Sequence, residues 1–183
     1  MEIKLFIVLN MEKTKFYDEA LSKFYGSQEI NSYPLSALDI YAQHFNKVCK
    51  SLKDVIGLDS LAKIQNWNST VSFKNEILDK EHVVVVTDPQ LNIVYATQNI
   101  FPMNGYSPEE IIGRKPKMFQ GEKTCQDTSK YISKAIKDLV PFEATITNYR
   151  KNGTTYYCWI KGQPIFNTKG KVVNFIAFER EVA

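Results

Sequence analysis

The chain has 183 residues, 44% hydrophobic and 23% charged, the balance of a globular protein with a core to bury. Its net charge of +3 comes from 23 basic and 20 acidic residues without a concentrated basic stripe, which argues against a nucleic-acid partner. Cys49, Cys125 and Cys158 show no Cys-x-x-Cys spacing, and His44 and His82 have no ligand pattern beside them, so a disulfide framework and a metal site are not expected. The apolar run Leu5-Phe6-Ile7-Val8-Leu9 falls far short of the ~20 residues that span a bilayer. No small-residue cleavage pattern follows it, and the expectation is a cytoplasmic protein without a membrane anchor.

The sequence changes character near residue 75, which divides it into an N-terminal helical segment, 1–75, and a second region, 76–183. Residues 3–9 fit a strand or a helix equally, and Phe16 to Leu21 fits a helix. Ser36-Ala37-Leu38-Asp39 has the form of a helix start, in which side-chain oxygens accept the free amides of the first turn. From there Leu38, Tyr41, Phe45, Val48, Leu52 and Val55 recur three and four apart, a continuous apolar seam that Gly57 is expected to end. A second short helix is expected from Asp59 or Ser60 to Trp67.

After residue 75 the signals are of β type. Val83 to Thr87 and Ile93 to Ala96 flank the turn residues Asp88-Pro89-Gln90-Leu91-Asn92, the pattern of a hairpin. Ser107 and Pro108 start a short helix that Gly113 ends, and Tyr131, Ile132, Ala135, Ile136 and Leu139 mark a longer one over 126–139. Strands over 142–150, 154–166 and 172–180 close the chain, with turns at Asn152-Gly153 and Lys169-Gly170. The order predicts an α+β fold, with helices inserted between strands two and three of a five-stranded antiparallel sheet.

This order and these residues resemble the PAS fold over roughly 76–183. The stretch Asn104-Gly105-Tyr106-Ser107-Pro108-Glu109-Glu110-Ile111-Ile112-Gly113-Arg114 is similar to the helix before the family's ligand-side helix. Phe119-Gln120-Gly121-Glu122-Lys123-Thr124, Asn148-Tyr149-Arg150-Lys151-Asn152-Gly153 and Phe175-Ile176-Ala177-Phe178-Glu179 resemble the flavin-binding, light-sensing LOV branch. In that branch a cysteine bonds covalently to flavin in light, and the resemblance places Pro116 at its position. Proline cannot do that chemistry, so no photoadduct is expected here. Asparagine and glutamine of the branch are replaced by Cys158 and Glu179, while Asn148 and Gln120 match. The resemblance implies a flavin or another small molecule as ligand, with Asn148, Cys158, Glu179 and Gln120 as candidate pocket residues. Haem is not expected, because no histidine lies between residues 83 and 183.

Alternation along the strands independently puts Asn148, Cys158 and Glu179 on one inward face. Buried polar groups there must find partners, either a ligand or one another. Cys158 reads either as a ligand-contacting thiol or as a small hydrophobe. The opposite face carries Thr145, Thr147, Tyr149, Tyr157, Trp159, Ile176 and Phe178, too apolar a set to face water. The seam from Leu38 to Val55 is the expected cover, from its own chain or a dimer mate. No nucleophile elbow or phosphate loop is present, and an enzyme is not expected. The sequence predicts a sensory or regulatory module in signal transduction, acting through ligand sensing and contacts with a second copy or a partner protein. A ligand-free dimerisation domain is the structural alternative.

Overall fold

The computed structural model describes residues 37–68 and 72–182, together with Lys23. The chain divides into two compact units, Met1–Lys53 and Asp54–Ala183, and residue 75 falls inside the second. The stretches 3–9 and 16–21 and the helix cap expected at Ser36 lie outside the described residues.

Helix α1, Ala37–Ile64, is a single helix of 28 residues and corrects two expectations. Gly57 does not end it, because this glycine answers to a neighbour and not to a turn. A Cβ on Gly57 would stand 2.4 Å from the Tyr95 hydroxyl oxygen, so the bare backbone lets the tyrosine ring pack against the helix. Ser60 does not start a second helix either. Its hydroxyl donates back to the Ile56 carbonyl at 2.8 Å, inside the continuing α1. Within the second unit, the Asp54 carboxylate of α1 accepts the Gln98 amide at 2.8 Å and the Tyr95 hydroxyl at 3.2 Å. Burial pushes its pKa up to about 6. No described helix is long and apolar enough to cross a membrane.

The sheet of the second unit comprises β1 (Val83–Thr87), β2 (Ile93–Ala96), β3 (Phe142–Tyr149), β4 (Thr155–Phe166) and β5 (Val172–Val182). Five strands, all paired antiparallel, match the sequence expectation, and the structure adds their order across the sheet, β2-β1-β5-β4-β3. The β1–β2 turn is closed by Asp88, whose Oδ1 accepts the amides of Gln90 and Asn92 at 2.9 and 2.8 Å. Between β2 and β3 come α2 (Ile100–Asn104), α3 (Pro108–Ile111), a 3-10 turn at Pro116–Phe119, and α4 (Gln126–Lys137). Ser107 caps α3 as expected, in a reciprocal arrangement where the Glu110 carboxylate accepts the Ser107 amide at 2.9 Å. α4 stops before Leu139, which has φ 55° and is exposed, and Tyr131 also faces solvent; neither is the core residue that their spacing suggests.

Two apolar clusters sandwich the sheet. The inner one gathers Val83, Val85, Ile93, Ile146, Tyr156 and Cys158 with Ile100, Met103, Ile111 and Phe119 from the inserted segment. The outer one gathers Val84, Val86, Ile165, Ile176 and Phe178 under Leu58, Phe73 and Ile77, the last in a π-helical turn at Asn75–Asp79. β1 is buried on both faces, which is why it reads as an unbroken valine run. Within the second unit the outer face is covered by Val55, the end of the seam, and by Leu58, Leu61, Phe73 and Ile77, which the sequence reading did not name as cover. The cover is also incomplete. Tyr157 stays 57% exposed, and Trp159 is half-buried against the His82 ring at 5.2 Å and the Arg180 guanidinium at 5.0 Å.

Candidate functional site

The inner face and the inserted helices enclose a cavity of about 270 Å³, near the lower end of the ~300–1,000 Å³ usual for ligand pockets. The sheet forms its floor, with Val85 and Thr87 from β1, Asn148 from β3, Ile160 from β4, and Phe175, Ala177 and Glu179 from β5. α4 forms a wall, presenting Ser129, Ile132, Ser133 and Ile136 from one helical face. The 3-10 turn and its flanks add Lys115, Pro116, Lys117, Phe119 and Gln120. Phe142 also lines the space, across from Gly162 in the β3–β4 pairing. A Cβ on Gly162 would stand 2.3 Å from that ring, so the glycine makes room for it.

Three of the four residues singled out from the sequence meet on this cavity: Asn148, Gln120 and Glu179. Glu179 is held on the central strand, opposite Val83 of β1 and Ile160 of β4, which fixes its side chain on the inner face. It is only 6% exposed, and desolvation pushes its carboxyl up to about 7. The Cys158 thiol donates to Glu179 Oε2 at 3.7 Å, which partly opposes that rise. Cys158 is fully buried in the inner cluster and is not on the cavity wall; it reaches the site through Glu179. Burial, and then the neighbouring carboxyl, hold its own pKa far above the ordinary thiol value. Gln120 is half-buried and its Oε1 accepts the Ser129 hydroxyl at 3.2 Å. Asn148 is buried beside Tyr156, its partner across the β3–β4 pair.

Sequence reasoning did not single out Thr87, Lys115, Lys117, Ser129 or Ser133. Ser129 and Ser133 could have been found, since they share the helical face of Ile132 and Ile136. Thr87 carries the clearest mark of a ligand site. Its Oγ1 is buried on the cavity floor without a hydrogen-bond partner. Asn104 Nδ2 and Tyr156 Oη are also buried in the inner core, but they lie beside one another and beside Asn148 and so have polar neighbours. Pro116 stands on the wall, and no residue lining the cavity is a cysteine or a histidine. Cys125 is exposed at the start of α4. His82 lies on the other side of the sheet, with Nδ1 2.8 Å from Glu76 Oε2.

Comparison with known proteins places this architecture. The PAS domain family model matches residues 80–183. The chain is 35% identical to Protein TWIN LOV 1 of Arabidopsis thaliana over 114 residues, 60% of this chain and 29% of that protein. It is 32% identical to phototropin-2 of Oryza sativa subsp. japonica over 128 residues, 68% of this chain and 14% of that protein. A solved light-oxygen-voltage domain, studied with a flavin analogue, superposes with a TM-score of 0.58 at 25% identity, over 62% of this chain and 87% of that one. The chain therefore spans less than a third of the length of these curated relatives. With its family match, its sheet order and its helix-walled inner cavity, the chain belongs to the PAS domain family and carries a LOV-like member of it.

Proposed function

We propose that this domain is a cytoplasmic sensory module of signal transduction whose cavity holds a flavin-type ring without bonding to it covalently. The observation that carries this reading is the orphaned Thr87 hydroxyl on a floor it shares with Asn148 and Glu179, under apolar walls. A planar heteroaromatic ring fits such a set. Phe119, Ile132, Ile160 and Phe175 would cover its faces, and Thr87, Asn148, Gln120 and Glu179 would hydrogen-bond its polar edge. Lys115 and Lys117 would draw an anionic tail to the wall beside the 3-10 turn. A bound flavin supplies visible absorption and reversible redox chemistry.

The chain's own residues orient the ring and exclude water, and they offer it no sulfur. The family resemblance assigns Pro116 to the adduct position, and the thiol of Cys158 is off the wall and held protonated. The output is a change at the sheet, read by a second copy or a partner protein. Mass spectrometry and absorbance of material released on denaturing the purified full chain test the reading. A flavin or another heteroaromatic compound at near one equivalent is the expected result. Protein that contains no ligand and takes up no added flavin would leave a ligand-free interaction domain.

A further inference from the structure

We propose that Glu179 is the switchable hydrogen-bond donor of the cavity, so that a ring presenting a carbonyl acceptor at β5 binds together with one proton. This rests on the flavin reading of the site and adds to it a chemical selectivity. The carboxyl is fixed inward by strand pairing on both sides and is nearly removed from solvent. Among the described residues its hydrogen-bond partner is the weak thiol donor of Cys158 at 3.7 Å. No ion pair among the described residues includes it.

Two residues further along β5, Glu181 lies opposite Cys158 and is tied to Arg150 in an ion pair at 2.6 Å. β4 presents Cys158 and Tyr156, both held protonated by burial. β1 presents Val83 and Val85, and α4 lines the cavity with Ser129, Ile132, Ser133 and Ile136. The cations on the wall, Lys115 and Lys117, come from the 3-10 turn region. An ionised carboxylate only accepts hydrogen bonds, whereas a neutral carboxyl also donates one. The polar edge of an oxidised isoalloxazine has two carbonyls flanking a single N–H, so acceptors outnumber donors. The Asn148 and Thr87 oxygens can accept that N–H, and a carbonyl at Glu179 then requires the neutral acid. The proton comes from solvent, and the loss of an ionised group from the cavity accompanies binding.

The test is riboflavin binding to the full chain across about pH 6 to 8.5, followed by fluorescence quenching, with proton uptake measured calorimetrically in two buffers of different ionisation enthalpy. Riboflavin lacks the phosphate, so no ligand group titrates in that window. Wild-type affinity is expected to fall toward about tenfold per pH unit at the alkaline end, with up to one proton taken up. Glu179→Gln, whose amide donates at every pH, should bind with a flat profile near the wild-type value at low pH. A flat or rising wild-type profile, zero proton uptake at the alkaline end, or a slope that persists in Glu179→Gln overturns the inference while leaving the flavin reading intact. Absence of binding of both riboflavin and flavin mononucleotide by either protein at every pH overturns both. The proton count is made on the wild-type protein and stands even if the variant does not fold.

Discussion

The two faces of the same five strands are built for different ends. Over β1 and β5 the outer face is packed dry, with Val84, Val86, Ile176 and Phe178 under Leu58, Phe73 and Ile77. The inner face keeps a cavity, and on its floor it tolerates a carboxyl, an amide and an unpartnered hydroxyl. Burial of polar groups without good partners costs stability, so the inner face stores a cost that the outer face offsets. Strand alternation lets one backbone serve both tasks, since neighbouring residues such as Phe178 and Glu179 point to opposite sides.

Substitutions on the two faces should therefore differ in size and in sign. The largest loss is expected on the outer face. Leu58→Ala removes a side chain with no solvent exposure and should cost about 2–5 kcal/mol in denaturant unfolding. A loss below ~1 kcal/mol would mean that the end of α1 is not a true part of this core. Asp54→Ala, at the tie between α1 and the strand beside it, should cost about 1–3 kcal/mol by leaving the Gln98 amide unpaired and the Tyr95 hydroxyl with only the backbone carbonyl of residue 54, at 3.3 Å. If Tyr95→Phe in the Asp54→Ala background costs as much as it does alone, the two groups are not coupled.

The inner face should show the opposite sign. Glu179 titrates near 7 in the folded protein and near 4.5 when unfolded, so the folded state binds the extra proton between these values. Its contribution to stability is then fully present below about pH 4.5 and is lost as pH rises to about 7. Glu179→Gln should stabilise the ligand-free protein by about 1–3 kcal/mol at pH 8 and change little at pH 4. Equal effects at both values would mean that the carboxyl does not titrate in this range. The smallest effect belongs to the open end of the outer face, where Tyr157→Ser should shift stability by no more than ~0.5 kcal/mol. A larger loss, concentration-dependent in the wild type alone, would reveal a second copy seated on Tyr157.

Legibility in the sequence followed the range of the interactions. The five strands, the Asp88 turn and the Ser107 cap were readable because alternation, turn chemistry and capping are local. The continuation of α1 was not, because Gly57 is explained by Tyr95 on a distant strand. Phe73 and Ile77 escaped for a related reason: Ile77 sits in a single π-helical turn, with Phe73 just before it, and so short a segment has too few residues to show a period. At the site, alternation put Asn148 and Glu179 inward correctly, and the family resemblance pointed to Gln120. Cys158 shows the limit of that method, since facing inward and lining a cavity are different properties. Thr87 and the two serines of α4 are small polar residues whose type alone looks like surface, and packing from other elements makes them part of a pocket.

Blue illumination of the full chain reconstituted with flavin mononucleotide probes the inner face most directly. The expected result is a retained flavin whose visible absorbance shows no reversible loss to a sulfur adduct, because Pro116 stands on the wall and no cysteine does. A reversible bleach accompanied by a sulfur–flavin bond, or a protein that retains no flavin, would contradict it.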